Sequence, residues 1–164
     1  MKRICAVLLL AVITVIASAS PISGLLERID RGASKKFIIE EVKSDTDFFE
    51  LDQKGSRVVI RGNNSVSIAT GLNWYLKYYA GIHLSWNGMT ATLPDVLPPV
   101  MKKERHETKL PWRYDLNYCT YSYSMAFWDW ERWEKEIDWM ALHGINLPLA
   151  ITGTETVCAS ETGI

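Results

Sequence analysis

The 164-residue chain has 18 Lys and Arg against 19 Asp and Glu, a formal net charge of -1, so it lacks the basic excess expected of a nucleic-acid-binding protein. Three cysteines are too few for a disulfide-dense scaffold. Seven Trp and seven Tyr are a high aromatic content. Aromatic rings fill protein cores, and they also stack on the apolar faces of sugar rings.

The first 19 residues are predicted to be a secretory signal peptide. Lys2 and Arg3 form a short basic region, residues 5–16 are almost all apolar, and residues 17–19 read Ala-Ser-Ala, which suits a signal peptidase. The apolar run is shorter than the ~20 residues that span a bilayer, so no stable membrane span is predicted. The mature chain is expected to be secreted. That means the periplasm or the medium in a bacterium, and the lysosome or the extracellular space in a eukaryote.

Residues 20–105 are predicted to form a small α/β domain that ends in a proline-rich linker. Apolar residues at helical spacing indicate a short helix that ends near Gly32. Runs of β-branched and aromatic residues predict strands over 37–42, 48–51 and 57–61, of which the last two form a hairpin.

A second helix completes the predicted order α-β-β-β-α. Ser65 is a suitable N-cap, apolar residues recur at helical spacing as far as Tyr79, and Gly81 supplies the stop. The strongly charged residues 101–109 follow three prolines and predict a linker, because proline removes backbone donors and charge opposes burial. A domain boundary is therefore expected near residue 105.

Residues 106–164 are predicted to be the first βα units of a (β/α)8 barrel. A strand over 113–120 and an apolar strand over 145–151 flank a helix over 130–142, and this order is a βαβ unit. A complete barrel uses eight such units over ~250 residues, so this segment is expected to hold only an incomplete barrel.

The helix over residues 130–142 is predicted in more detail. Asp129 is its expected N-cap and Gly144 its stop. Glu131 and Lys135 are four residues apart in the favourable order and are expected to pair. Its buried apolar face is expected to carry Trp133, Ile137, Met140 and Ala141.

The candidate site residues lie at or just after the C-terminal ends of the two predicted barrel strands, where β/α barrels carry their active sites. Asn117 has donors and an acceptor for a sugar hydroxyl or acetamido group, or it closes a loop as a structural amide. Cys119 is either a nucleophile or apolar filler, and a single bridge to Cys158 is also open. Glu155 is a catalytic carboxylate, a supporting acceptor or the first-turn acid of the next helix.

No cofactor and no metal site are predicted. The three histidines lie far apart in the sequence, and none pairs with a Cys or a carboxylate at ligand spacing. A Gly-rich phosphate loop is also missing, since Gly153 stands alone.

Three segments resemble the start of the barrel domain of the alpha-N-acetylglucosaminidase family, glycoside hydrolase family 89. They read NYCTYSYS from residue 117, WDWERWEKEIDWMAL from residue 128 and GINLPLA from residue 144. Residues 21–99 resemble the small N-terminal domain of that family. The resemblance implies a retaining exo-glycosidase that removes terminal alpha-N-acetylglucosamine from glycans. Such enzymes use two Glu carboxyl groups about 5–5.5 Å apart.

The resemblance also assigns roles along this chain. Asn117 and Cys119 match positions that line the sugar pocket, and Glu155 falls in the Gly-x-Glu segment as a pocket or support residue. The catalytic Glu pair is expected beyond residue 164, so no catalytic residue is assigned and the chain alone is predicted to be inactive. From about Cys158 the sequence departs from the family pattern, and a frameshift or a truncated gene is expected there.

Two alternatives to a glycosidase segment are open. Residues 21–99 are also consistent with a non-catalytic carbohydrate-binding or interaction module, and the chain is also consistent with a non-functional gene remnant. The sequence predicts no oligomeric state.

Overall fold

The computed structural model of the protein describes residues 20–120 and 123–149. The predicted signal peptide, Glu155 and the tail from Cys158 lie outside the described residues. The described elements, in chain order, are helix α1 Pro21–Ile29, a short 3-10 helix Ala33–Lys36, strands β1 Phe37–Glu41, β2 Asp47–Lys54 and β3 Arg57–Gly62, helix α2 Ser65–Tyr78, strands β4 Glu104–Thr108 and β5 Tyr114–Asp115, helix α3 Trp130–Leu142 and strand β6 Leu147–Pro148.

The N-terminal sheet has the strand order β1-β3-β2-β4. Strands β2 and β3 form the predicted antiparallel hairpin, which turns at Gly55 with a φ of 60°, while β1 pairs parallel to β3. Helices α1 and α2 bury their apolar faces against one side of this sheet. The predicted order α-β-β-β-α is therefore confirmed.

The opposite side of the sheet is polar and centred on Arg61. Its guanidinium holds Glu50 and Asp52, each at 2.9 Å, and Glu40 at 2.5 Å. Burial by itself raises the pKa of Glu50, but hydrogen bonds from Lys103 and Arg61 outweigh it and lower the pKa. This face carries an ion-pair network, while the apolar core lies on the helix side, so the unit has two layers.

Strand β4 replaces the predicted linker over residues 101–109, and that prediction is wrong for Glu104–Thr108. The strand pairs antiparallel with β2, so the sheet continues past residue 105. A charged strand fits here because its planar side chains cover aromatic rings. The Arg105 guanidinium lies 3.6 Å from the ring centroid of Phe48, and the His106 ring stacks on Phe49 at 4.8 Å.

The helix caps follow local chemistry, with one correction. Asn64, not Ser65, is the N-cap of α2, since its side-chain oxygen accepts the backbone N–H of Ser67 at 2.9 Å. Asp129 caps α3 as predicted by accepting the N–H of Arg132 at 2.9 Å. Gly144 adopts a φ of 78° directly after the helix, as its predicted role requires.

The βαβ unit is confirmed, although its strands are shorter than predicted. Strands β5 and β6 are parallel over two residues each, with Tyr114 opposite Leu147 and Asp115 opposite Pro148. Leu116 adopts a φ of 70°, which takes the chain out of the extended conformation and ends β5 before Asn117.

The buried face of α3 differs from the predicted one. Met140 is buried, but Ile137 is 47% exposed, whereas the charged residues Glu136 and Asp138 are buried. Asp138 is buried because Arg28 of α1 donates two hydrogen bonds of 2.6 Å to its carboxylate. The predicted pair of Glu131 and Lys135 is confirmed at 2.9 Å.

Candidate functional site

An open groove lies where β5 ends, at the position that the barrel rule predicts for active-site groups. Its walls come from the β5 strand and the turn after it, from the β5–α3 loop, from α3, and from the segment that follows α2. Its lining includes Trp86, Asp115, Asn117, Thr120, Glu136 and Trp139.

Asn117 lines this groove and also holds the loop that follows β5. Its Oδ1 accepts the backbone N–H groups of Cys119 at 2.9 Å and Thr120 at 3.1 Å, and also the Thr120 hydroxyl at 3.1 Å. Within residues 20–120 and 123–149, no acceptor takes the two Nδ2 protons. The structural interpretation of this amide is therefore supported by its oxygen, while its Nδ2 group has no acceptor among the described residues.

Cys119 is exposed and does not line this groove within the described part of the chain. The alternative of a buried apolar filler is wrong, because Cys119 is exposed and lies in the turn that Asn117 holds. The alternative bridge to Cys158 and the role of Glu155 concern residues outside the described ranges.

Glu136 is the most deeply buried charge of the groove, with 2% of the residue exposed. Its carboxylate accepts the indole N–H of Trp86 at 2.6 Å. It also lies 3.1 Å from a terminal nitrogen of Arg132, an ion pair whose angle does not make a hydrogen bond. The Arg132 guanidinium in turn lies over the ring of Trp86 at 4.7 Å and over that of Trp128 at 3.9 Å.

Sequence reasoning missed Trp86 and Glu136 as members of the site. Trp86 precedes the predicted linker and belongs to the N-terminal unit, and Glu136 resembles any exposed helix carboxylate. Only the packing of α3 against the N-terminal unit brings them together, so no local signal identifies them.

The chemistry of the groove suits binding of a neutral, polyhydroxylated ligand. The indoles of Trp86 and Trp139 offer apolar surface, and Asn117 and Thr120 offer hydrogen-bonding groups nearby. The side chain of Asp115 accepts the N–H of Leu116 at 2.7 Å, so this carboxylate helps to shape the turn.

Residues 20–120 and 123–149 contain no group of three or more His, Cys, Asp or Glu arranged to hold a metal ion. Over the same ranges, no helix has the length and apolar character needed to cross a membrane.

Comparison with known proteins identifies two matching family models. Residues 20–99 match the alpha-N-acetylglucosaminidase N-terminal domain, and residues 113–161 match the tim-barrel domain of the same family. The human alpha-N-acetylglucosaminidase is 46% identical over 116 residues, which cover 70% of this chain and 16% of that protein. The chain thus spans about a sixth of the length of this curated relative.

Solved structures of family 89 glycoside hydrolases also match this chain. A family 89 glycoside hydrolase from Clostridium perfringens, in complex with PUGNAc, matches with a TM-score of 0.79 and 40% identity. The match covers 85% of this chain and 16% of that one. A second structure of that bacterium's enzyme carries two glutamate-to-glutamine substitutions and holds its substrate, GlcNAc-alpha-1,4-galactose. It matches with a TM-score of 0.79 and 39% identity over the same shares of the two chains.

Proposed function

This chain belongs to the alpha-N-acetylglucosaminidase family, glycoside hydrolase family 89, and we propose that it supplies the N-terminal domain and first barrel units of a retaining exo-glycosidase. The proposed substrates are glycans that end in alpha-linked N-acetylglucosamine. The groove at the end of β5 is the observation that carries this proposal, because Asn117 lines it beside Trp86 and Trp139. Within the described residues, the two N–H donors of the Asn117 amide have no acceptor.

In this proposal the described residues bind the sugar and do not cleave it. Asn117 has its carbonyl oxygen held by the loop, so its amide nitrogen is fixed in place before the sugar arrives. We propose Cys119 and Glu155 as further residues of the sugar pocket in the complete enzyme. A Glu pair at the spacing of a retaining glycosidase would supply the chemistry.

The 164-residue chain on its own is expected to show no hydrolysis of an aryl alpha-N-acetylglucosaminide. A retaining mechanism needs both a nucleophile and an acid/base carboxyl group, and this proposal assigns neither role to a residue of the chain. Release of the chromophore is the measurement, with the Clostridium perfringens enzyme as the positive control. Turnover well above the rate in buffer alone would contradict this assignment of roles.

The variant Asn117→Asp separates the proposed role of Asn117 as a donor to the sugar from its structural role in the loop. The carboxylate of this variant still accepts the N–H groups of Cys119 and Thr120, but it no longer donates. Affinity for GlcNAc-alpha-1,4-galactose is expected to fall about tenfold, the typical effect of one lost hydrogen bond in a binding site. Ligand-observed NMR titration measures the affinity, and circular dichroism checks the fold. Unchanged affinity would exclude a donor role for Asn117.

A carbohydrate-binding module built on the N-terminal unit is the competing function. The observation that favours it is an aromatic surface outside the groove, where Tyr78 is 58% exposed and its ring lies 4.4 Å from that of Trp74. The same titration distinguishes the two functions, because binding that survives Asn117→Asp and is lost in Tyr78→Ala supports the module.

Export is part of the proposal, through the predicted signal peptide over residues 1–19. The basic, apolar and small-residue order of this segment supports it.

A further inference from the structure

Trp86 reaches the groove from the N-terminal unit, on the tip of a tight turn. Ser85 and Gly88 exchange two backbone hydrogen bonds of 3.0 Å, which leaves Trp86 between them. The residue before this turn, Leu84, is 1% exposed and packs in the N-terminal core, which anchors the turn. The position of the indole is therefore set by the N-terminal unit and not by the barrel segment.

The orientation of the indole is set from the other side, by α3. Its N–H donates to Glu136 at 2.6 Å, and the Arg132 guanidinium lies 4.7 Å from its ring centroid. Glu136 is almost completely buried, so this hydrogen bond is shielded from water and its loss would leave a buried carboxylate with fewer partners. A side chain held at both ends is pre-organised for contact with a ligand.

The indole nevertheless remains 41% exposed, and it lines the same groove as Asn117, Thr120 and Trp139. Its N–H is already used, so the part left for a ligand is the apolar ring. An apolar ring beside an amide and a hydroxyl is the combination that recognises a sugar, whose ring has both apolar faces and hydroxyl edges.

We propose that Trp86 is a substrate-contacting, specificity-determining residue, and that the N-terminal unit thereby forms one wall of the sugar groove. This inference rests on the proposed function. It goes beyond it by giving the N-terminal unit a direct part in binding, so that α3 and the Ser85–Gly88 turn must come together before the groove is complete.

The indole N–H resonances of the full chain test the proposal by NMR. The seven Trp give seven such signals, and Trp86→Phe identifies that of Trp86. On titration with GlcNAc-alpha-1,4-galactose, the Trp86 signal is expected to shift in a saturable way together with that of Trp139. Trp86→Ala is expected to weaken binding roughly three- to tenfold, the range for loss of an aromatic contact.

Trp112→Phe is the matched control, since Trp112 is 68% exposed and does not line the groove. Its signal should stay in place, and its variant should bind as the unaltered chain does. If the Trp139 indole signal and the side-chain amide signals of Asn117 shift while the Trp86 indole signal does not, the inference is wrong and the proposed function stands. If no signal shifts at millimolar sugar, both are wrong.

Discussion

Leu142→Ala is expected to lower the free energy of unfolding of the whole chain by about 2–5 kcal/mol, the usual cost of a leucine-sized cavity in a core. Leu142 is the last residue of α3, yet it is 0% exposed and packs in the same core as the leucines of α1 and α2. The βαβ unit therefore shares its core with the N-terminal unit, and a cavity there weakens both.

Urea unfolding followed by circular dichroism and by Trp fluorescence measures this effect. Both signals should move together to lower urea, because one shared core predicts one transition. Ile137→Ala is the control on the same helix. Ile137 is 47% exposed, so this change should stay within about 0.5 kcal/mol. Two separate transitions, or a Leu142→Ala effect as small as that of the control, would contradict a shared core.

Arg113→Met is expected to cost about 2–4 kcal/mol of unfolding free energy, because it removes one partner of a largely buried ion pair. Arg113 begins the barrel segment and donates at 2.6 Å to Asp47 of the N-terminal sheet. It also donates to the carbonyl oxygens of Leu110, at 2.7 Å, and of Gly144. One guanidinium thus joins the sheet, the connection after β4 and the end of α3.

Asp47 makes this effect depend on pH. Burial by itself raises the pKa of Asp47, but hydrogen bonds from Asn63 and Arg113, with the charge of Arg113, outweigh it and hold the pKa below its ordinary value of 3.8. A lowered pKa in the fold stabilises the chain above that ordinary value, and this contribution is lost as pH falls through the lowered pKa. Arg113→Met should therefore show a smaller loss of stability on acidification than the unaltered chain.

Lys135→Met is the control for this experiment, since Lys135 forms an exposed pair with Glu131 at 2.9 Å. Such surface pairs contribute at most about 1 kcal/mol. Asp47→Ala combined with Arg113→Met completes a double-mutant cycle. If the two changes are simply additive, the ion pair does not couple the two units.

Local patterns predicted the elements whose signals lie within a few residues. Helix α3 begins and ends where Asp129 and Gly144 indicate, because an N-cap carboxylate and a left-handed glycine act on the nearest turn. The hairpin of β2 and β3 follows from two β-rich runs around Gly55 for the same reason. The first barrel strand ends earlier than its pattern predicts, since β5 stops at Asp115 and Asn117 lies in the turn after it.

Errors arose where burial depends on a distant partner. Strand β4 looks like a linker because its charges oppose burial, until β2 supplies backbone partners and aromatic rings for its side chains to cover. The buried face of α3 is predicted to be apolar, but Asp138 is buried against Arg28 and Ile137 is 47% exposed. A hydrophobicity pattern contains no information about such partners.

The sequence of this protein determined its family, the order of its helices and of every strand except β4, and the segment in which the groove lies, because caps, turns and periodicity are local properties of the chain. Tertiary structure alone decided that Trp86 joins Asn117 in that groove. Their meeting depends on the hydrogen bond from Trp86 to Glu136 and on the shared core at Leu142, which join parts of the chain distant in sequence. Such contacts form only when complete surfaces pack together, so no single segment encodes them.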